Sequence, residues 1–250
     1  MTFVVNSVQW ILRSDANATE RELLSDFNRV FEMSGQLISS GRFCHTIKVA
    51  AGNHHYYIKR YQVRVKLLRK ALGRSRPMVE ARNITYFARL GIPVPQIAGY
   101  GRQRILGLFI RGAIVTEEIP QTVDLQTLFR TRADLWKNRP WLFQALRLIA
   151  NYVRRIHEDG FTHGDLKWRN ILVTTTDAPC VFFIDCPSGG RKSFFRRRHF
   201  VIKDLAGLDR PAAEYLSRTT RLRFYLWYRN QTRLTQEDKA LIARVTTSEV

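Results

Sequence analysis

The chain has 250 residues, of which 45% are hydrophobic and 25% charged, a balance typical of globular proteins rather than disordered ones. The sequence contains no uninterrupted apolar run long enough to span a bilayer, and its first residues lack the basic leader and cleavage site of a signal peptide. The three cysteines are scattered, which argues against a zinc framework and fits reduced thiols. Together these features predict a cytoplasmic protein.

The formal net charge of +20 is extreme for a metabolic enzyme of this size. Such a positive field attracts polyanions, namely nucleic acid, an anionic membrane face or a phosphate-rich substrate. Composition does not choose among the three. The charge is clustered, however: the segment from Arg60 to Arg76 is rich in arginine and lysine and contains no acid.

The first half of the chain is predicted to be β-rich with one long helix. Residues 46–49 and 56–59 have the composition of strands and flank a turn around residues 51–53. A helix is predicted from about Pro77 to Leu90, because proline suits a first helical position and Gly91 a position just past the end. Residues 113–116 are then predicted to form a buried strand.

The second half is predicted to be mainly helical. Residues 141–157 repeat apolar side chains at steps of three and four, which gives the clearest helix of the chain. Residues 171–173 and 181–184 are predicted as short strands, and the chain from about Lys203 as helices. Thr235 to Asp238 has the pattern of a capping box for the last helix.

This order of elements predicts an α+β fold of two lobes in a single domain. A small β-rich lobe with one long helix is expected over residues 1–118. A larger helical lobe is expected over residues 119–250, and the boundary lies near Glu118 to Val123.

The residues from His163 to Asn170, with the sequence HGDLKWRN, have the spacing of a phosphoryl-transfer loop. Asp165 is the candidate base for an attacking hydroxyl, and Lys167 is placed to reach the transferred phosphoryl group. Asn170 and Asp185, which ends an apolar run, are candidate ligands of a metal that bridges phosphates. Phosphoryl transfer needs this combination because its catalysis is mostly positioning and charge neutralisation.

Lys59 ends a predicted strand, as does the lysine that holds the α- and β-phosphates in kinases. Glu80 is its candidate partner, because it is the one acidic residue between Met33 and Thr116 and lies in the next helix. Gly41 precedes a predicted strand and could cradle phosphate, although a plain hairpin turn explains it as well. Glu118 falls in the expected hinge, where backbone groups would bind adenine. Asp204 could brace the catalytic loop by accepting backbone hydrogen bonds, or could be an ordinary acid at a helix start.

The motifs His163 to Leu172 and Phe183 to Asp185 resemble the lipopolysaccharide kinase family, which includes heptose and Kdo kinases of the Gram-negative inner core. The resemblance extends to Tyr57–Tyr61 and to Glu80 through Pro95. It implies a protein-kinase-like bilobal fold with the active site in the cleft, ATP and Mg²⁺ as cofactors, and a lipid A–core glycolipid as acceptor. It also implies that the protein acts at the cytoplasmic face of the inner membrane.

Two positions depart from the protein-kinase pattern. Gly164 stands where protein kinases carry an arginine that engages a phosphorylated activation loop, and Cys186-Pro187 follows Asp185 in place of Phe-Gly. Both departures argue against protein-kinase-type regulation.

A second basic segment follows Asp185 and contains interleaved aromatic residues. It is predicted to contact an anionic inner-membrane surface or the phosphorylated acceptor, while a solvated basic loop with its aromatics turned inward is the alternative. The residues of this basic segment are Arg191, Lys192, Phe194, Phe195, Arg196, Arg197 and Arg198. Phe200 lies just beyond it.

Two other functions remain compatible with the sequence. One is a kinase-like phosphotransferase that acts on a protein or a soluble small molecule, although a cationic aminoglycoside fits poorly beside so many arginines. The other is a non-catalytic basic binding protein that uses the kinase fold. The complete set of catalytic candidates argues against the second, so no nucleic acid partner is expected.

Overall fold

A computed structural model describes residues 6–41, 43–62 and 75–248 of the chain. The fold is α+β, as the sequence predicts. Contacts divide the chain into two units, one of residues 1–83 and 95–119 and the other of residues 84–94 and 120–250. The division differs from the predicted lobes at residues 84–94, which the sequence placed in the first lobe and whose contacts group them with the second unit.

Within the described residues, the first unit is built on an antiparallel sheet. Its elements in chain order are β1 (Asn6–Leu12), α1 (Ala18–Leu24), α2 (Phe27–Glu32), β2 (Gln36–Ser40), β3 (Cys44–Ala51), β4 (His54–Gln62), β5 (Ile97–Ile105) and β6 (Leu108–Glu117). The strand order is β1-β5-β6-β4-β3-β2. One face of this sheet packs a core that includes Leu24, Val30, Ile58 and Val115.

The predicted hairpin of the first unit is confirmed and is longer than expected. Strands β3 and β4 pair from Cys44↔Tyr61 to Ala51↔His54. The chain reverses at Gly52, whose φ of +60° is accessible to glycine at little cost. Strand β1 and helices α1 and α2 were not predicted, and β1 pairs with β5, more than eighty residues further along the chain.

Helix α3 (Arg76–Arg89) confirms the predicted helix to within one residue at either end. Pro77 lies in its first turn, and Gly91, at φ +68°, lies two residues beyond its last residue. The boundary between the two units runs through this helix, since the residues from Ile84 onward group with the second unit.

The second unit is mainly helical and adds short strands. Its described elements are β7 (Thr122–Asp124), α4 (Leu125–Thr131), α5 (Ala133–Trp136), α6 (Arg139–Glu158), β8 (Phe161–Thr162), a 3₁₀ turn (Trp168–Asn170), β9 (Ile171–Thr174), β10 (Val181–Phe183), β11 (Gly190–Arg191), α7 (Phe194–Tyr215), α8 (Arg218–Arg229) and α9 (Gln236–Thr247). Helix α7 begins nine residues before the predicted start near Lys203.

Helix α6 supplies the centre of the second core. Its apolar stripe, which the sequence predicts, is buried at Leu142, Leu146, Ile149, Val153 and Ile156. The stripe packs in one hydrophobic cluster with the β9–β10 hairpin and with helices α7 and α8. The loop between β8 and β9 is thereby held on a rigid base. Of the helices that the structure describes, none has the length and apolar character needed to cross a membrane.

Candidate active site

The backbone of the loop from His163 to Asn170 is hydrogen-bonded to a buried carboxylate. Asp204, on helix α7, accepts hydrogen bonds from the backbone N–H groups of His163 at 2.7 Å and Gly164 at 2.9 Å. Asp204 is only 1% exposed, so both bonds are made in a medium of low dielectric where they are strong. The bracing geometry considered for Asp204 is therefore present.

Gly164 occupies a backbone conformation that favours glycine. Its φ is +78°, and a Cβ atom there would lie 3.0 Å from the carbonyl oxygen of Ser188. From the sequence, this glycine was interpreted as the loss of the arginine that engages a phosphorylated activation loop in protein kinases. The local geometry gives a simpler reason, because a side chain at this position would be strained and crowded.

Asp165, Lys167 and Asn170 lie together on this loop. The Nζ of Lys167 is 2.7 Å from Oδ1 of Asp165, and the side-chain amide of Asn170 donates to the Asp165 backbone oxygen at 2.8 Å. Arg169 lies 4.0 Å from the same carboxylate. The loop therefore presents one carboxylate surrounded by donors and positive charge.

These neighbours keep Asp165 ionised. Burial by itself would raise the pKa of Asp165, but the hydrogen bond from Lys167 and the charges of Lys167, Arg169 and His163 outweigh it and lower the pKa below its ordinary 3.8. At neutral pH the group is therefore a carboxylate that can orient a hydroxyl and accept its proton.

Asp185 follows strand β10 in a left-handed conformation with φ +57°. A non-glycine residue held in this region costs free energy, and such residues concentrate at functional sites. The loop and Asp185 are connected through the backbone, because the N–H of Ile184 donates to the carbonyl of Asn170 at 3.1 Å. Asn170 and Asp185 both carry side-chain oxygens, which are the ligands that Mg²⁺ prefers, so the donor chemistry at these positions fits that ion.

In the first unit, Lys59 and Glu80 form the predicted ion pair. The Nζ of Lys59 is 3.3 Å from Oε1 of Glu80, and the carboxylate is 4% exposed. Tyr61 donates its hydroxyl to Oε2 of the same carboxylate at 2.5 Å. Each oxygen of Glu80 thus has a partner on strand β4, where residues 59 and 61 share one face because side chains alternate.

Two further candidates have structural partners of their own. Gly41 lies in the β2–β3 turn, where its N–H donates to the carbonyl of Cys44 at 2.8 Å. The N–H of Glu118 donates to His55, and its carboxylate pairs with Lys48 at 2.6 Å and accepts from Tyr57 at 3.1 Å. The side chain and N–H of Glu118 are thus bonded to residues of strands β3 and β4. A role of its backbone carbonyl in nucleotide binding stays a prediction.

Most of the basic segment after Asp185, from Phe194 to Arg198, forms the start of the long helix α7, and Arg191 ends strand β11. Phe195 is 92% exposed, and Arg196 and Arg198 are also exposed. Other members turn inward: Arg197 donates to the carbonyls of His157 and Glu158, and Lys192 lies 4.4 Å from the ring centre of Phe200. The side chain of Phe194 lies outside the described residues, as do residues 63–74 of the earlier basic run.

Two buried groups that support Asp204 were not predicted from the sequence. His157, on α6, lies 3.3 Å from Asp204 through Nε2 and 3.0 Å from the hydroxyl of Tyr228, on α8, through Nδ1. Both side chains are buried. A polar residue on the apolar face of a predicted helix was the available signal for His157, whereas Tyr228 had none, because 71 residues separate it from its partner.

Comparisons with known proteins identify the family and the fold. The model of the lipopolysaccharide kinase (Kdo/WaaP) family matches residues 28–243. Among solved structures, one described as WaaP in complex with acyl carrier protein has a TM-score of 0.71 and 22% sequence identity, and the alignment covers 95% of this chain and 96% of that one. No curated protein matches the chain. Because the family model covers most of the sequence, the chain belongs to the lipopolysaccharide kinase (Kdo/WaaP) family.

Proposed function

We propose that the protein transfers the γ-phosphate of ATP to a hydroxyl of an inner-core lipopolysaccharide sugar, a heptose or Kdo. The observation that carries this proposal is the environment of Asp165. A carboxylate kept ionised and surrounded by Lys167, Arg169 and Asn170 is suited to a hydroxyl nucleophile and an anionic phosphoryl group. Membership of the family supports the class of acceptor.

Each candidate residue has one task in this mechanism. Asp165 orients the sugar hydroxyl and accepts its proton as the oxygen attacks phosphorus. Lys167 stabilises charge on the transferred group, and its pairing with Asp165 holds it beside the carboxylate that orients the hydroxyl. Lys59, oriented by Glu80, holds the non-transferred phosphates. Asn170 and Asp185 would hold Mg²⁺, which neutralises phosphate charge when bound.

The test is phosphate transfer from labelled ATP to dephosphorylated lipid A–core by the purified protein. Asp165→Ala should lower kcat by at least about a hundredfold, because it removes the proton acceptor. Asp177→Ala is the matched control, since Asp177 is exposed in the β9–β10 turn and should leave kcat unchanged. Normal turnover by Asp165→Ala would refute the mechanism, and transfer to protein instead of glycolipid would refute the acceptor.

The exposed part of the basic segment is proposed to contact the anionic surface on which the acceptor lies. Phe195 is 92% exposed and is followed by Arg196 and Arg198, which are also exposed. Such a pairing suits the headgroup region, where the ring can meet apolar groups and the arginines can meet phosphate. Phe195→Ser should weaken binding to phosphatidylglycerol vesicles by several fold, whereas Phe200→Leu, at a half-buried position, should not. Equal binding of Phe195→Ser and wild type would refute this contact.

A second partner, an acyl carrier protein, is proposed because of a cavity in the second unit. The structural neighbour is described as a complex with such a protein. In this chain a cavity of about 480 Å³ is lined mainly by aliphatic and aromatic side chains of α4, α6, α7, α8 and α9, with Arg218 and Arg221 among its polar lining. An apolar cavity of this kind suits an acyl chain, which buries methylene groups without needing hydrogen bonds.

Binding of purified acyl carrier protein, loaded with a fatty acyl chain or unloaded, tests this partner. The loaded form should bind at least about tenfold more tightly, because several methylenes leave water. Leu208→Gln places an amide in the cavity wall and should remove most of that difference, while Leu37→Gln on strand β2 should keep it. Equal affinity for the two forms would contradict the assignment of the cavity.

A further inference from the structure

The tip of the β5–β6 hairpin has a residue that its turn does not favour. Ile105 pairs with Leu108, so Leu106 and Gly107 make a two-residue turn, and their φ angles are +49° and +77°. Positive φ at both positions defines a type I′ turn, for which Asn-Gly or Asp-Gly is preferred. Leucine in the left-handed region is strained, and asparagine would serve the turn better.

The strained leucine is also exposed to solvent. Leu106 is 70% exposed, Val8 on the adjoining strand is 49% exposed, and Ile105 is 37% exposed. Asn6 pairs with Ile105, so Val8, Ile105 and Leu108 lie on one face of the sheet with Leu106 at its end. We name these four residues the tip patch. A leucine that costs stability through its backbone and gains none through burial, within an exposed apolar patch, indicates a surface that binds a partner.

The surroundings of the tip patch are positively charged. Arg102 and Arg104 lie on the opposite face of β5, and no carboxylate among the described residues forms an ion pair with either. Arg111 binds the amides of Gln103 and Asn28 instead of an acid. The sequence from Ala81 to Thr116 contains no Asp or Glu. The hairpin thus carries aliphatic side chains at its tip and arginines on the opposite face of β5, and it contains no acidic residue up to Thr116.

We propose that the tip patch inserts into the headgroup region of an anionic lipid bilayer. A narrow hairpin end is suited to entering a fluid interface, where aliphatic side chains meet acyl chains and the arginines behind them meet phosphate. The contact is separate from the basic segment of helix α7, and its measurement does not involve phosphate transfer, so it stands or fails independently of the proposed activity.

Co-sedimentation of the purified full-length protein with vesicles tests the proposal. Wild type should bind vesicles that contain phosphatidylglycerol and bind pure phosphatidylcholine vesicles weakly. Leu106→Asn should weaken binding to the anionic vesicles by roughly tenfold, the scale expected when one aliphatic side chain no longer leaves water. The same change should keep or raise the melting temperature, because asparagine suits a type I′ turn. Loss of binding with equal or higher stability rules out unfolding as its cause.

Two further variants separate insertion of the tip patch from a general attraction of the protein to membranes. Leu37→Asn changes another leucine, 62% exposed, on strand β2 of the same sheet, and should bind as wild type does. Arg102→Gln combined with Arg104→Gln should weaken binding to anionic vesicles and leave phosphatidylcholine binding unchanged. Unaltered binding by Leu106→Asn would overturn the proposal. A similar loss in Leu37→Asn would overturn it too, because general surface hydrophobicity would then account for the binding.

Discussion

Tyr61 is the residue whose contact with the proposed nucleotide-binding pair, Lys59 and Glu80, is best defined by geometry. Its hydroxyl donates at 2.5 Å to Glu80, whose other oxygen faces Lys59, and Tyr61 is 2% exposed. A hydrogen bond to a buried carboxylate fixes the rotation of that carboxylate as well as its charge. We therefore expect Tyr61 to act as a positioning residue for Lys59 through Glu80.

We predict that Tyr61→Phe raises the KM for ATP by about tenfold and lowers kcat less, since one charge-assisted hydrogen bond is lost without changing the reacting groups. Steady-state kinetics with ATP varied at saturating acceptor measures the split. Tyr100→Phe, a half-buried change on the same sheet, is the control and should be silent. An unchanged KM for ATP in Tyr61→Phe would show that the hydrogen bond from Tyr61 is not needed to orient Glu80.

His163 makes a pH-dependent contribution to stability. Its ring is stacked on Phe87 with the centroids 5.9 Å apart, and within the described residues neither ring nitrogen has a hydrogen-bond partner. Burial lowers the pKa of His163 below its ordinary 6.5, and the charges of Asp204, Asp185 and Asp165 offset only part of that effect. The folded protein therefore holds a neutral imidazole where the unfolded chain would take a proton.

As the pH falls below 6.5, the unfolded state binds this proton first and the folded state loses stability. The slope from one such group is at most about 1.4 kcal/mol per pH unit. We predict that His163→Phe flattens the decline in unfolding free energy from about pH 6.5 to about pH 5.5, measured by urea denaturation. His199→Phe, at an exposed position, should keep the wild-type decline; equal curves for wild type and His163→Phe would contradict the prediction.

The candidate site shows which of its residues a sequence can reveal. Asp165, Lys167 and Asn170 were predicted together because their spacing along one loop is the signal, and the structure places them in contact. Glu80 was predicted because it is the one acid in a long basic stretch. Tyr228 and His157 could not be paired from sequence, because helix packing brings them together and no local pattern encodes it.

At the level of elements, the carboxyl-terminal helix α9 depends on its cap. The hydroxyl of Thr235 accepts from the N–H of Asp238 at 3.2 Å, and Asp238 accepts from the N–H of Thr235 at 2.9 Å. Asp238 also accepts from the Tyr225 hydroxyl and from Arg229 on α8. One carboxylate thus caps a helix and ties it to its neighbour.

We predict that Thr235→Ala lowers the free energy of unfolding by about 1 kcal/mol, a typical cost for a lost cap. Urea denaturation at neutral pH measures it, and Thr232→Ala, exposed just before the helix, should change stability by less than about 0.5 kcal/mol. Burial would raise the pKa of Asp238, but its hydrogen bonds from Thr235 and Tyr225 lower it overall. The contribution of the carboxylate is therefore complete above pH 3.8 and lost as the pH falls below it. A cost near zero in Thr235→Ala would show that Arg229 and Tyr225 alone hold the helix start.

Elements were predictable where their pattern is local. The stripe on α6 and the strand–turn–strand pattern of β3 and β4 repeat within a few residues, so their periodicity predicts them. Strand β1 was missed because its partner β5 lies far away in sequence and its residues from Asn6 to Gln9 are exposed. Helices α1 and α2 are only seven and six residues long, too short for a periodicity signal, although Asn17 and Asp26 cap them.

For the whole molecule, the net charge of +20 can act in two ways. A general positive field would draw the protein toward any anionic surface, and every exposed cation would contribute equally. A local patch would concentrate the effect at Arg196 and Arg198, which are exposed beside Phe195. Both are electrostatic attractions, and raising the salt concentration distinguishes them from apolar contacts. A rise from about 0.1 M to about 1 M shortens the Debye length from about 10 Å to about 3 Å.

We predict that this change in salt raises the KM for a lipid-borne acceptor by at least about tenfold and leaves kcat nearly constant, since binding of the surface is screened while the buried support of the catalytic loop is not. Arg196→Gln with Arg198→Gln should reduce both the affinity at low salt and its salt dependence. Arg233→Gln with Arg244→Gln removes the same charge from exposed positions elsewhere and should have a clearly smaller effect. Equal effects of the two pairs would mean that the field of the whole molecule, and not the start of helix α7, brings the enzyme to its acceptor.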